Sequence, residues 1–361
     1  MKKIKLFDPY IDKKEKFAID KILKSKFWAS GSGVGDVKKF EDEFKKYIKC
    51  KNCVAVNSGT AALNLALSIE DVKNKEIILP ALTFVSTANA CVLNNAKPVF
   101  VDINLEDCCI DPLKIEEKIT EKTTAILPVH FGGMPCNMNL IHKIAKKHNL
   151  AVIEDAAHAT GASYENKKIG THSTTVCFSF HPVKNLAMPT GGVIALNNSN
   201  HKISRKRLEA LRWCGITNRK NFVYDVEEVG NNYYMNEFSA AIGRIQLKKI
   251  EKMNKIRKRI AKIYDSELKI KEKIPLSKNC AYHIYWIRVK NREKFMKKMK
   301  DAGIETGIHY KPIHTMKKYR NSISLPITEK IAREIVSIPI HPNLTKNDIE
   351  RIVKNVNKYS V

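Results

Sequence analysis

A short apolar run, a polar turn and a helix-patterned stretch recur through the first half of the chain, and that recurrence leaves few folds open. The runs are Cys53-Val-Ala-Val56, Glu76-Ile-Ile-Leu79, Lys97-Pro-Val-Phe-Val-Asp102, Thr124-Ala-Ile-Leu-Pro-Val-His130 and Ala151-Val-Ile-Glu-Asp155, with a last strand expected at 193–196. Helical patterns fall between them, in Ala61–Leu67, in a helix opened by Pro80-Ala-Leu-Thr-Phe84 and continuing through Asn89 to Leu93, and in the amphipathic stretch 137–149. Strands alternating with helices predict an α/β fold with a mostly parallel sheet and helices on both of its faces. Ligands of such a sheet sit past the carboxyl ends of its strands. Ser58, Phe84, Asp155 and Lys184 each lie just past a strand-like run, so one edge of the sheet gathers them.

Two helices are expected before the first strand, over 12–26 (Phe17, Ile19, Ile22, Leu23) and 37–49 (Phe40, Phe44, Ile48). The loop between them, Trp28-Ala-Ser-Gly-Ser-Gly-Val-Gly-Asp36, resembles a dinucleotide-binding GxGxxG only loosely, because no strand precedes it and the spacing is wrong. It reads either as a loop over a site, with Trp28 as an apolar wall, or as a plain turn. After the last strand the pattern predicts a helix at Arg205–Leu211, an irregular loop over 216–230 and a long helix at Glu237–Lys262 that joins two domains. With 361 residues at 43% hydrophobic content there is core enough for both. The division is expected as a large domain over 1–247 and a smaller C-terminal α+β domain over 248–361, the latter with a strand at Tyr282–Val289 and a helix at Arg292–Ala302.

The chemistry-bearing residues cluster in four turns. Asn57-Ser58-Gly59-Thr60 joins a strand to a helix; Ser58 or Thr60 can cap it, and the unpaired N–H groups of its first turn suit a single phosphate. It lacks the Lys-Ser/Thr of a P-loop, so a nucleoside triphosphate is not its guest; an ordinary capped helix is the plainer alternative. In Phe178-Ser-Phe-His-Pro-Val-Lys184-Asn185 an apolar run ends in a lysine, with Gly191-Gly192 soon after. A desolvated lysine has a lowered pKa and serves as an amine nucleophile, commonly toward the carbonyl of pyridoxal phosphate; a loop lysine bonded to backbone is the alternative. Asp155 could hold a pyridine nitrogen protonated, His158 could donate to a ring oxygen or be a structural histidine, Phe84 could cover a flat ring or be core, and Ser179 could join Ser58, Gly59 and Thr60 on a phosphate.

Composition narrows the rest. The net charge of +27 comes from 64 Lys and Arg against 37 Asp and Glu. It is mostly lysine spread over helices such as 248–262 and 292–300, without a nucleic-acid-binding motif, so a solvated basic surface is expected rather than a nucleic-acid partner. Such a field still favours an anionic small substrate. Nine cysteines suggest no disulfide framework, and Cys50-Lys-Asn-Cys53 is a lone CxxC with no second pair, so neither a metal nor a redox role is expected and a reducing cytoplasm fits best. The basic start, Met1-Lys-Lys-Ile, has no apolar h-region, and no run of apolar residues is long enough for a membrane span.

These motifs together carry a resemblance. Asn57-Ser-Gly-Thr-Ala-Ala-Leu63, Pro80-Ala-Leu-Thr-Phe84, Val152-Ile-Glu-Asp-Ala-Ala-His158, Phe178–Asn185 with Gly191-Gly192, and Asn232-Tyr-Tyr-Met-Asn-Glu-Phe-Ser-Ala-Ala-Ile-Gly243 occur in order and at familiar spacing. From Trp28 to His309-Tyr-Lys-Pro-Ile-His314 the chain resembles the DegT/DnrJ/EryC1/StrS family of sugar aminotransferases, of fold type I. The resemblance implies pyridoxal 5′-phosphate held by Lys184 and Asp155, with His158 beside the ring and Ser179 on the phosphate. It implies a homodimer with shared sites, in which Asn232 is lent by the partner subunit. Trp28, His309 and Tyr310 would border the sugar. Where the family has a basic residue two after that asparagine, this chain has Tyr234. The implied reaction is amination of a nucleotide-linked keto sugar, a 4-keto-6-deoxy one on family frequency, with glutamate as donor. Amination at C3, dehydration, which relatives with histidine at the lysine position perform, and a non-enzymatic regulatory role are the alternatives.

Overall fold

The computed structural model describes residues 3–320 and 322–360, so Met1 and Lys2 of the basic start lie outside the described residues. Helix α1 (Lys13–Ser25) opens with a capping box, in which Asp12 accepts from a first-turn N–H while Glu15 accepts from the Asp12 N–H. Of its expected apolar stripe only Ile22 is buried; Phe17 and Leu23 stand exposed. Helix α2 (Gly35–Ile48) buries Phe40, Phe44 and Ile48 as its spacing predicts.

Seven strands form the central sheet: β1 (Asn52–Val56), β2 (Glu76–Pro80), β3 (Lys97–Val101), β4 (Thr123–Ile126), β5 (Ala151–Asp155), β8 (Thr175–Ser179) and β9 (Gly192–Leu196). A small hairpin, β6 (Ser163–Tyr164) with β7 (Lys167–Lys168), intervenes between β5 and β8. The spatial order is β1-β9-β8-β5-β4-β2-β3, and every pairing is parallel except those of β9, which runs against both neighbours. The crossovers are α3 (Gly59–Ser68), α4 (Ser86–Leu93), α5 (Pro112–Glu116) and α6 (Met138–Lys147). The expected fold class, an α/β protein with a mostly parallel sheet flanked by helices, is the observed one.

Strand β4 is shorter than its apolar run. It ends at Ile126, because Pro128 has no N–H to extend the ladder and instead accepts from the Asp155 N–H. Strand residues alternate between two cores. Val54, Val56, Ile77, Leu79, Ile153 and Ile194 pack with Ala62, Leu65 and Ala66 of α3, while Ala55, Val176, Phe178 and Val193 pack with Phe40 and Phe44 of α2. Both faces are thus covered, which is why these strands read as continuous apolar runs. Phe178 is fully buried, and trimming it to alanine would cost about 3–5 kcal/mol.

After α7 (His201–Leu211) the segment expected to be irregular is a hairpin, β10 (Ile216–Lys220) with β11 (Val223–Val226). Asn218 and Asn221 take left-handed backbone angles there, a conformation asparagine tolerates, and β11 exposes every residue, so no buried alternation marks it in the sequence. Helix α8 (Glu237–Glu267), capped by Asn236, runs unbroken through residues 247 and 248. Beyond it, β12 (Tyr285–Arg288) pairs with β13 (Ile335–Ile338), and α9 (Arg292–Asp301), α10 (Pro326–Glu334) and α11 (Lys346–Tyr359) complete the chain. A third core joins Ile78, Ile126 and Val152 of the sheet to Tyr264, Tyr285, Trp286 and Ile338. This continuity carries the segments around His283 and His309 onto the carboxyl edge of the sheet.

Candidate active site

A cavity of about 390 Å³ opens at that edge. Its lining includes Ser58, Gly59, Thr60, Phe84, Asp155, His158, Ser179, Lys184, His309 and Tyr310, so ten of the residues singled out from the sequence meet in one place. Two roomier openings, about 450 and 600 Å³, lie along the β10–β11 hairpin, but neither contains Lys184 or Asp155.

At one end of the cavity Ser58 caps α3, its Oγ accepting from the Ala61 N–H at 3.0 Å. A Cβ on Gly59 would lie 2.6 Å from the Cβ of Ser179, and one on Gly192 would lie 2.4 Å from the Ser58 carbonyl oxygen. Glycine at both positions lets the helix N-terminus approach the Ser179 hydroxyl, concentrating donors where an anion can sit.

In the middle, Asp155 ends β5 and is 4% exposed. Its Oδ1 accepts from the Ala157 N–H (3.1 Å) and its Oδ2 from the Thr87 hydroxyl (2.9 Å). Burial raises its pKa, partly offset by those hydrogen bonds and by the charge of Lys184. Lys184 follows β8, its N–H donating to the His181 carbonyl at 2.8 Å. Part of its side chain faces the cavity, yet protein encloses the amine, and burial pushes its pKa down to about 8 against the pull of Asp155. No carboxylate forms an ion pair with it among the described residues; its side-chain contact is His283 Nε2, at 3.4 Å.

His158 lies under the opposite wall. Its Nδ1 accepts from the Gly132 N–H (3.3 Å), so a neutral ring carries its proton on Nε2, 3.0 Å from the Tyr310 hydroxyl. Burial holds His158 well below its ordinary pKa. His309 bonds to Ser337 (2.8 Å) and is lowered to about 4 by burial and by Lys184. Phe84, 54% exposed, leans over the opening with its ring 5.9 Å from that of Tyr310.

Two expected residues are elsewhere. Trp28 is 52% exposed and packs against Phe238, and Asn232 is exposed with its carbonyl accepting from the Asn57 side chain. Neither lines the cavity. Asn232 bridges to Trp213 just before the β10–β11 hairpin, whose Phe222, Val223 and Tyr224 are exposed. The CxxC pair is buried and free, Cys53 donating to the Glu41 carbonyl and Cys50 to that of Asn52. Thr87, Phe7 and His283 also stand at the site, though the sequence does not single them out. Thr87 stood on an expected helix, four residues past Thr83, and that spacing was the one signal available; Phe7 and His283 gave none, because only the tertiary fold brings them near.

The residues present fit pyridoxal phosphate. An enclosed amine without a carboxylate partner, a buried carboxylate kept by two donors, and a glycine-lined helix N-terminus against a serine hydroxyl are the three services that aldehyde, ring nitrogen and phosphate require.

Comparison with known proteins bears on the same point. The model of the DegT/DnrJ/EryC1/StrS aminotransferase family matches residues 9–357. The Methanocaldococcus jannaschii protein MJ1066 is 38% identical, covering 98% of this chain and 96% of its own. The structure of Helicobacter pylori PseC, an aminotransferase involved in pseudoaminic acid biosynthesis, superposes with a TM-score of 0.94 at 29% identity, covering 99% of each chain. A Streptococcus pneumoniae protein solved in its PMP form superposes with a TM-score of 0.94 at 25% identity, covering 99% of this chain and 98% of that one.

Proposed function

We propose that this chain, which belongs to the DegT/DnrJ/EryC1/StrS aminotransferase family, aminates a nucleotide-linked keto sugar, a 4-keto-6-deoxy sugar with glutamate as amino donor. That it is a pyridoxal-phosphate-dependent sugar aminotransferase follows from the family and its structural neighbours. The observation that carries the finer reading is the enclosed Lys184 amine, in no ion pair among the described residues, facing the same cavity as Asp155, on a chain with a net charge of +27. A diphosphate-bearing substrate is the natural guest of such a basic field.

When bound, pyridoxal phosphate supplies an aldehyde that takes up an amino group and a ring that spreads the resulting negative charge. Asp155 would hold a proton on the ring nitrogen, its buried carboxylate fixed by Thr87 and the Ala157 N–H. Ser58, Gly59, Thr60 and Ser179 would bind phosphate, and Phe84 would shield one side of the ring from water. Lys184, once released, would take a proton from the amino donor's carbon at Nζ and return it, which a lysine with a pKa of about 8 can do near neutral pH. His158 and Tyr310, hydrogen-bonded to each other, would hold the far wall, with His309 toward the sugar.

Asn232 and Trp28 are read as serving a partner subunit's cavity. They lie outside this chain's own, on a face with exposed apolar residues that a second copy would cover. A cytoplasmic location is proposed from the nine cysteines, all free; among the described residues no helix is long and apolar enough to cross a membrane. The test is a paired half-reaction. Glutamate should bleach the visible band of the holoenzyme, and a 4-keto-6-deoxy sugar nucleotide should restore it. A band that bleaches with glutamate but returns with no keto sugar nucleotide would overturn the substrate proposal.

A further inference from the structure

Beside Lys184, separate from the main cavity, lies a chamber of about 10 Å³ bordered by Asp8, Arg257, His283 and His341. Lys184 borders both spaces, whereas His283 borders only the chamber. The His283 ring is 2% exposed and clamped: Phe7 stacks on it at 5.4 Å and 19°, and the His158 ring lies 4.5 Å away. Its backbone N–H and that of Ile284 both donate to the Gly132 carbonyl, at 2.9 and 3.3 Å. A ring held this firmly presents one fixed atom, Nε2, to the lysine amine at 3.4 Å. Nδ1 is buried and finds no protein partner, and the chamber that His283 lines is the size of one water.

We propose that His283 is a positioning residue for Lys184: its Nε2 accepts one N–H of the amine from behind, which turns the nitrogen lone pair into the cavity. The proposal rests on the reading of Lys184 as the cofactor-bearing lysine. A neutral amine has two hydrogens and one lone pair. With one hydrogen held by His283, the lone pair and the second hydrogen face the reactants. When the lone pair takes a proton from the amino donor's carbon, the ammonium keeps its bond to His283 and holds the new proton on the cavity side, from which it is returned. His283 neither gains nor loses a proton.

That role needs a neutral imidazole. The charged and titratable groups around it are Lys184 at Nε2, His158 across one face, His309 edge-on to the stacked Phe7, and Arg257, His341 and Asp8 around the chamber. None of the described carboxylates pairs with it. Burial, then Lys184, His158, His309 and Arg257, keep it well below its ordinary pKa, so it remains an acceptor throughout the working range.

His283→Phe keeps a ring between Phe7 and His158 and removes the acceptor; His283→Gln restores an acceptor at similar reach. The rate of the glutamate half-reaction should fall roughly 100-fold in His283→Phe, with the visible band retained, and recover at least about tenfold in His283→Gln. In cofactor-free full-length protein, the pH dependence of Lys184 labelling by pyridoxal and borohydride should show its inflection shifted down by about one unit in His283→Phe, because the ammonium has lost an acceptor. A half-reaction in His283→Phe within about twofold of wild type, equal slowness in both variants, or an unmoved inflection would overturn the proposal. Absence of the half-reaction in the wild type would instead overturn the reading of Lys184 on which it rests.

Discussion

Ser58, Asp155, Ser179 and Lys184 stand at the ends of strands of one sheet or in the turns that follow them, whereas His309 and Tyr310 reach the same cavity, and His283 the adjoining chamber that Lys184 also borders, from segments that core packing brings near. Lys184 and its histidine contact are 99 residues apart in sequence, and His158 and Tyr310 are 152 apart. The first wall is positioned by backbone ladders, so its atoms are set once the strands pair. The second is positioned by side-chain packing and by scattered backbone contacts, those of His283 and Ile284 to Gly132, of Ala281 to Gly133, of Gly307 with Ser337 and of Ile313 to Ala81. The difference teaches where each kind of work can be done. Bond-making atoms sit where the backbone is fixed, and groups that orient them sit on the packed wall.

If that division of labour holds, substitutions on the sheet wall should cost more than those on the packed wall. The largest effect belongs to Lys184→Met, which removes the amine and should lower transamination about 10,000-fold, measured as single-turnover conversion with glutamate. Next comes Asp155→Asn. The amide keeps the size and the Thr87 contact but loses the charge opposite the ring nitrogen, so the rate should fall roughly 100- to 1,000-fold. The His283 substitutions fall at or below the lower end of that range. A His283→Phe defect as deep as that of Lys184→Met would break the comparison.

The same contrast explains what could be read in advance. The sheet wall was legible because each residue follows an apolar run, and a run covered on both faces leaves a plain trace in the sequence. A mostly parallel sheet is expected from that trace, but not the strand order or the reversal of β9, since an antiparallel strand buried on both faces looks the same. The hairpin over 216–226 was missed because its exposed residues carry no buried alternation. His283 was invisible for a different reason. It precedes a strand in a region whose link to Lys184 exists only after Ile78, Ile126 and Val152 have packed against Tyr285 and Trp286. Tyr310 and His309 were reached through family resemblance rather than through spacing.

Acidity offers a sharper probe of the sheet wall. Burial sets the folded pKa of Lys184 at about 8, below the ordinary 10.5. The folded state therefore prefers the neutral amine, and the unfolded chain binds the extra proton first as pH falls. Burying Lys184 has no ionisation cost above pH 10.5, and the cost grows as pH drops to 8 and then levels off. Cofactor-free Lys184→Met should thus gain stability over the wild type on going from pH 10.5 to 8, on the order of 2 kcal/mol after allowing for the cavity-facing part of the side chain. Urea midpoints across that range measure it. A difference that stays flat with pH would mean the amine is hydrated in the folded state, and the enclosure argued for it would be wrong.

The smallest effect tests the phosphate end, where geometry alone acts. In Gly59→Ala the new methyl would meet the Ser179 Cβ at 2.6 Å, so either the N-terminus of α3 or the end of β8 must move by several tenths of an ångström. No charge and no hydrogen-bonding group is lost, because the Gly59 N–H remains. The expected result is about tenfold weaker binding of pyridoxal phosphate, in line with a small overpacking strain, with the maximal rate of fully loaded enzyme nearly unchanged. Fluorescence titration of cofactor-free protein, read beside the saturated rate, separates the two. Should the rate fall while affinity holds, the helix N-terminus would be setting the ring against Asp155 and Lys184 rather than gripping the phosphate, and the cavity's two walls would be coupled through α3.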